Sequence, residues 1–471
     1  MSNQVLIVGA GPAGIRAAEL LVNHGVRPIL VDEAPRIGGQ IYRQPPNAAG
    51  FQRSVQELYG FEAEKAHALH ATFECIQGKL DYLPNALVFD IDGNRAQIHG
   101  GGTTDSIAFD SLILATGAMD RILPFDGWTL PGIYSLGGAQ IAIKHQGCAI
   151  GQSVVFAGTG PLLFLVAYQY ANAGAKIAAV INAAPRSALL AQTLKLATMP
   201  AVLAQGMHYL RQLRKQKIRV LHGWHPLRAH GTDHLAMLEF ISDRGDKLEV
   251  DCDAAAFGYG LKPETQLADL AGAHFAFDNL QRHWLPMTDG YGRATGRPGL
   301  YLAGDGAGIL GADAGELRGR LAAAAVLSDS GRRFDGFDPN TALQQLQKWQ
   351  RFREALELAF PFPHERAAEI ADEVMLCRCE AITAGDFRGV CGEFGARDLN
   401  RAKAYCRLGM GRCQGRLCGP AAAEIMAERL GVSIDSVGRL RGQPPIKPVP
   451  VAALAATEPS PTEPGLTEPG T

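Results

Sequence analysis

The chain opens on a short unbroken apolar run, Val5 to Val8, then a glycine turn, then an apolar-periodic stretch from Ile15 to His24. A run of that length bounded by glycine fits a strand buried on both faces, and the stretch after it fits a helix. The unit recurs. Pro28 to Val31, Ile113 to Ala115, Val154 to Ala157, Lys176 to Ile181 and Tyr301 to Ala303 are further apolar runs closed by small or polar residues. Strands of this kind alternate with Ala- and Gly-rich helical stretches through about residue 345, which predicts an α/β fold with parallel sheets. Leu343 to Phe360 then places Leu346, Trp349, Phe352, Leu356 and Ala359 on one helical face, and Phe360-Pro-Phe-Pro ends that helix. Between His145 and Ala175 no Asp, Glu, Lys or Arg occurs, but Gly158, Gly160 and Pro161 interrupt the segment. A membrane span needs about 20 mostly apolar residues. Strand, turn and helix account for this segment better. Residues 441–471 are Pro-rich and end in Thr457-Glu-Pro, Thr462-Glu-Pro and Thr467-Glu-Pro, a composition expected to stay disordered.

With 471 residues the chain is long enough for roughly three domains. Hydrophobic residues make up 47% and charged residues 20%, which excludes a disordered chain. Lys+Arg total 45 against 47 Asp+Glu, so no basic excess exists to neutralise phosphates, and nucleic acid is excluded as a main partner. No secretory signal precedes Val5, and a cytoplasmic setting is expected.

Candidate chemistry begins at the first turn. Gly9-Ala-Gly11-Pro12-Ala13-Gly14 is G-x-G-x-x-G between a strand and a helix. Gly9 permits the tight turn, Gly11 lets the backbone approach a pyrophosphate, and Gly14 lets helix pack on strand. The helix N-terminus faces the phosphates. The second strand ends in Asp32-Glu33, and either acid could accept hydrogen bonds from a ribose. Gly38-Gly39-Gln40, Ala115-Thr116-Gly117 after a strand, and Gly304-Asp305 after another strand direct the reading to FAD rather than NAD. Together these segments resemble the two-dinucleotide-domain flavoproteins, which include glutathione and thioredoxin reductases. The resemblance implies that Asp305 hydrogen-bonds the flavin side of the cofactor.

A second strand and turn, Val154 to Leu163, carries Gly158 and Gly160 but has Leu163 in place of the third glycine. Leucine there should hold the helix further from the strand. Asn182 stands at the end of the next strand where an acid would bind a ribose, and Arg186 is a single candidate for a 2′-phosphate. The pyrophosphate cradle is kept, and the acid for the ribose is missing. Three readings stay open: a domain kept for structure, a site for another adenine nucleotide, and a working NAD(P)H site. Cys75, Cys148 and Cys252 are isolated, with no Cys-x-x-Cys pair, and are expected to be buried small apolar residues. No convincing general base emerges, since His24, His145, His208 and His283 stand alone, so the catalytic residues are not assigned.

Six of the nine cysteines fall between Cys377 and Cys418. Cys377-Arg-Cys379 is followed after 33 residues by Cys413-Gln-Gly-Arg-Leu-Cys418. Two close pairs can supply the four thiolates of a [2Fe–2S] cluster. A Cys₄ zinc site is the rival, though C-x-C and C-x₄-C lie outside its usual C-x₂₋₄-C spacing or at its edge. Arg378, Arg401, Lys403, Arg407, Arg412 and Arg416, with Gly409, Gly411, Gly415 and Gly419, suit a negatively charged cluster approached by backbone amides. Cys391 and Cys406 read as spare thiols, Cys406 being the substitute ligand if one is needed. The module resembles the bacterioferritin-associated ferredoxin-like [2Fe–2S] domain, with C-x₄-C where many members have C-x₂-C.

Asp32 to Arg43, Pro124 to Pro131, Gly304 to Ala307 and Gly409 to Cys418 together resemble a narrower family. It comprises the FAD/iron–sulfur subunits of opine oxidases, hydrogen cyanide synthase and D-hydroxyproline dehydrogenase. The resemblance implies a partner subunit similar to D-amino-acid oxidases that carries its own FAD and oxidises a C–N bond. It further implies a small ferredoxin-like subunit in many complexes and a respiratory acceptor, with membrane association only through the complex. Flavin and cluster on one chain make a two-to-one electron converter. The expected organisation is a FAD-binding domain at 1–118 and 285–345, an NAD(P)-binding-like domain at 119–284, a helical linker at 346–371, a helical [2Fe–2S] domain at 372–440 and a tail at 441–471. A self-sufficient NAD(P)H-dependent reductase and a non-enzymatic redox or adenylate sensor are the alternatives.

Overall fold

A computed structural model describes residues 4–45 and 53–455. Two five-stranded sheets, each parallel throughout, form its centre. The first runs in the order Leu300–Leu302, Ser111–Leu114, Val5–Val8, Ile29–Val31, Asp81–Leu83. The second runs Val220–His222, Lys176–Asn182, Ser153–Thr159, Ala254–Tyr259, Ile133–Ser135. Val5–Val8, Ser111–Leu114 and Ala254–Tyr259 are buried at every position, as strands covered on both faces require. Helix Pro12–Asn23 crosses from the first strand of the first sheet to the second. Helix Ala312–Asp329 lies against it, and a Cβ at Gly319 would stand 2.0 Å from the Ala13 carbonyl oxygen. That close approach explains a helix core built from Ala322 to Ala325.

Antiparallel structure was not expected and is present. Three-stranded meanders occupy residues 86–108 and 224–251. A two-stranded ribbon, Ala118–Asp120 with Leu261–Pro263, joins the two sheet units. The apolar segment from His145 onward is the strand Ser153–Thr159 and the helix Pro161–Asn172. Among the described residues no helix is long and apolar enough to cross a membrane. The helix read from Leu343 begins earlier, at Pro339, where the Asp338 side chain accepts from the Asn340 and Thr341 amides.

The cysteine module holds the helices Ala384–Glu393, Leu399–Cys406 and Cys418–Leu430. One continuous core runs from Phe257 and Trp128 of the second sheet unit through Phe362 to Leu376, Phe387 and Ile425 of the module. The Trp128 indole N–H donates to the Met375 carbonyl at 2.6 Å.

The tail departs from expectation over residues 441–455. Ile446 is buried, its amide donates to Phe89 O at 3.0 Å, and the short helix Val451–Ala455 follows, with Thr104 donating to Ala453 O. Apolar residues within the Pro-rich stretch find a groove on the first unit. The Thr-Glu-Pro repeats lie outside the described residues, as does Pro46.

Candidate dinucleotide and cysteine sites

The glycine turn of the first unit brings its sequence-predicted residues to one end of the sheet. A Cβ at Gly9 would meet Ala115 O at 2.3 Å, and one at Gly14 would meet Gly9 O at 1.8 Å. Gly11 faces Gly39, Gly304 faces Ala13, and Gly306 lies against Thr116 Oγ1. Pro12 begins the helix whose free N–H groups point into this concavity. Gln40 stands exposed beside it. Asp305 spends Oδ1 on the Leu310 and Gly311 amides, at 2.8 and 2.9 Å.

The two acids after the second strand differ in kind. Asp32 is consumed by the fold: one oxygen accepts from the Ala10 amide at 2.5 Å, the other from Ala34 at 2.7 Å. Burial pushes its carboxyl up, against the pull of those two amides. Glu33 points outward and pairs with Lys447 of the C-terminal segment.

The second turn is wound differently. Gly160 has φ of 99° where Gly11 has −77°. Leu163 is fully buried among Leu136, Phe156 and Ala256. A helix bearing Leu163 cannot seat on the preceding carbonyl as Gly14 allows the first helix to do. Gly158 still fits closely, with Gly258 O at 1.8 Å from a Cβ there. Asn182 is buried and bonded to Ala184 and His222, so its side chain closes its own turn.

In the module, Cys377 and Cys418 lie within hydrogen-bond reach of one another, and so do Cys379 and Cys413. The bond from Cys418 holds the Cys377 thiol down at about 5 despite burial, and amides of Gly409, Glu380 and Cys379 assist. The same bond and burial push Cys418 well up. The thiols thus stand as two facing pairs, each taking one cysteine from either motif. Gly411 makes this possible, since a Cβ there would stand 2.4 Å from the Cys379 Cβ. Cys391 and Cys406 turn back onto their own helices, bonding Phe387 O and Ala402 O. Of the three isolated cysteines only Cys252 is buried. Cys75 and Cys148 are exposed, contrary to expectation. Cys75 falls on the outer face of its helix, which no apolar spacing marked.

What the sequence reading missed is the segment that clamps the module in place. Thr116 Oγ1, in the dinucleotide turn, donates to Glu264 O at 2.7 Å. The Glu264 carboxylate takes the Arg416 guanidinium at 2.6 and 3.1 Å, and Arg416 lies between Cys413 and Cys418. Gln266 donates to Gln414 O at 2.6 Å. Asp269 takes Arg439, Arg441 and the Gly442 amide, and Arg282 pairs with Glu424. The signal available was Lys262-Pro-Glu264, charge arriving shortly beyond the buried strand Ala254–Tyr259.

Residues 3–328 match the family model for pyridine nucleotide-disulphide oxidoreductases, and residues 376–458 match the sarcosine oxidase A3 domain. The second match takes in the described part of the tail. The chain is 35% identical to the opine oxidase A subunit of Agrobacterium tumefaciens (strain Ach5) over 96% of its own length and 91% of that protein's. It is 32% identical to the hydrogen cyanide synthase subunit HcnB of Pseudomonas protegens over 97% and 98%. The crystal structure of L-proline dehydrogenase from P. horikoshii superposes with a TM-score of 0.68 at 22% identity, covering 96% of this chain and 79% of the other. At that identity the likeness shows a shared fold. The matches to the two curated relatives take in the glycine turn, the clamp and the module alike, and the chain belongs to the pyridine nucleotide-disulphide oxidoreductase family, within the group of the opine oxidase A subunits and HcnB.

Proposed function

We propose that this chain is the electron-transferring subunit of a heteromeric amino-acid or opine dehydrogenase. In this reading it holds FAD in the first dinucleotide site and a [2Fe–2S] cluster on Cys377, Cys379, Cys413 and Cys418. The observation that carries the reading is the bonded path from Thr116 through Glu264 and Arg416 to the Cys413 loop. It fixes the thiol pairs relative to the end of the first sheet, as a short electron path requires.

The donor sets suit both groups: among the described residues no three ligating side chains gather about one metal position, and the cysteines stand instead as two separate pairs. Gly9, Gly11, Pro12, Ala13 and Gly14 line the pyrophosphate cradle, and Gly39, Gln40, Ala115, Thr116 and Gly117 wall it. The ribose acceptor is Asp32 or Glu33: each Asp32 oxygen already takes one backbone amide, and Glu33 is paired with Lys447. Gly304 brings Asp305 to the flavin end with Oδ2 uncommitted by the loop. Two facing thiol pairs suit a binuclear centre, with two thiolates for each iron. Bound, a flavin exchanges electrons in pairs and a [2Fe–2S] cluster one at a time, so the two together convert one regime to the other.

By analogy with the named relatives, the substrate is an opine, glycine or a D-imino acid, oxidised on a partner subunit similar to D-amino-acid oxidases. A small ferredoxin-like subunit and a respiratory acceptor complete the path. Gly160, with nothing nearer than 3.7 Å to a Cβ there, leaves the second turn open to an adenine nucleotide, while the inward Asn182 argues against NAD(P)H as donor. The retained second turn favours one rival, a stand-alone NAD(P)H-dependent reductase of the cluster. Flavin, iron and acid-labile sulfide analysis of the purified chain tests the assignment. About one FAD, two irons and two sulfides per chain are expected, with iron lost in Cys413→Ser. A chain carrying zinc without sulfide contradicts it.

A further inference from the structure

Between the joining ribbon and the cysteine module lies a cavity of about 90 Å³. Its walls include Arg121, Lys262, Glu264, Arg282, Arg416 and Glu424. Most of this charge is matched. Arg416 pairs with Glu264 and Arg282 with Glu424. Arg439, also in the wall, pairs with Asp269. His283 is held neutral, since burial drives its imidazole well below its ordinary value. Arg121 has no ion pair among the described residues, but it donates to Tyr259 O and Gln281 O and stacks on Phe362 at 4.2 Å.

Lys262 is the exception. It is 7% exposed, and its ammonium makes no hydrogen bond among the described residues. A buried cation without a partner is costly and is seldom kept unless an anion compensates it. The nearest carboxylate, Glu264, is already held by both arms of Arg416. The Cys413 and Cys418 sulfurs also lie within its electrostatic reach. Lys262 lines the same cavity as Gln414, Gly415 and Arg416, the loop that joins those two cysteines.

We propose that Lys262 is the buried counter-charge of the cysteine-bound cluster, a positioning residue that raises the cluster's reduction potential so that it accepts an electron from the flavin side. The inference rests on the [2Fe–2S] reading above. A four-thiolate [2Fe–2S] centre is net negative and gains one more negative charge on reduction, and net charge is one determinant of its potential. A fixed cation therefore favours the reduced form. Lys262 sits on the ribbon strand Leu261–Pro263, two residues from Glu264, so the charge lies on the side from which the electron comes.

The test is a dye-mediated anaerobic titration of the cluster in the full chain, followed by its electron paramagnetic resonance signal. Lys262→Met is expected to lower the midpoint potential by at least about 59 mV, a tenfold shift in the one-electron equilibrium. Lys262→Gln is expected to do the same, and Lys262→Arg to stay near wild type. Iron and sulfide content must match wild type in each. A full cluster with an unchanged potential in Lys262→Met and Lys262→Gln overturns the inference alone. Wild-type chain without iron and sulfide overturns the cluster reading and the inference with it.

Discussion

Arg416 touches three parts of the molecule at once. It grips Glu264 beside the dinucleotide turn, reaches Cys413 O at 3.4 Å and donates to Ile446 O at 2.6 Å. Its presence near the cysteines was legible in the sequence as one of six cations. Its partner was not, because a glutamate about 150 positions away carries no local signal. Arg416→Ala strips both guanidinium bonds from the largely buried Glu264 carboxylate and leaves it Lys262 as its neighbouring cation, which should cost up to about 3 kcal/mol. Chemical denaturation should show that loss. A variant as stable as wild type would mean the pair does not hold the module. Asp269 supplies a pH-dependent contact. Burial raises its carboxyl, but Arg439, the Gly442 amide and Arg441 outweigh that and hold it below 3.8. A depressed folded-state value means the stabilisation is fully present above the ordinary value of 3.8 and is lost as pH falls below it. Stability measured from about pH 6 down to about pH 3 should therefore drop more steeply in wild type than in Asp269→Asn. Parallel curves would contradict this.

At the scale of elements, the first strand–turn–helix unit was readable almost completely, because its steric demands fall on single glycines. Two of those demands can be separated. A Cβ at Gly14 would stand 1.8 Å from Gly9 O, so Gly14→Ala should displace the helix and lower the melting temperature by several degrees. Gly11 has ordinary φ and a Cβ there meets Gly39 Cα at 3.7 Å. Gly11→Ala should fold with near-native stability yet lose flavin affinity by about tenfold or more, because the methyl occupies the pyrophosphate approach. Equal flavin affinity in Gly11→Ala would remove the first turn as the binding site. The second unit was readable in what it lacked: Leu163 and Asn182 each have a physical consequence in the fold, a rewound turn and an inward side chain. The meanders at 86–108 and 224–251 were missed although Asp92-Gly93-Asn94 and Asp243-Arg-Gly245 stand at their turns. Alternating strands there were absorbed into a parallel pattern set by the stronger apolar runs around them.

Across the whole molecule, the cysteine module behaves as a third layer rather than an appendage. Its core is continuous with the second sheet unit, its charges are matched on the 264–282 segment, and the chain beyond it returns to the first unit. None of these long-range pairings is local in sequence, which is why neither they nor the order of residues 441–455 was legible in it. Ile446, buried at 3% exposure against the first unit, anchors that return. Ile446→Ala should cost about 2–4 kcal/mol and make the C-terminal segment sensitive to protease. An unchanged digestion pattern would place the anchor elsewhere.

The central claim is that electrons enter this chain from a partner that oxidises an amine and leave through the cysteine module. Anaerobic optical titration addresses it, first with NADH on the isolated chain, then with candidate opines and amino acids on the chain co-purified with its partner. The account predicts that NADH leaves the flavin of the isolated chain oxidised, while one substrate bleaches flavin and cluster only in the complex. Immediate bleaching of the isolated chain by NADH would contradict it and make the second dinucleotide unit a working site.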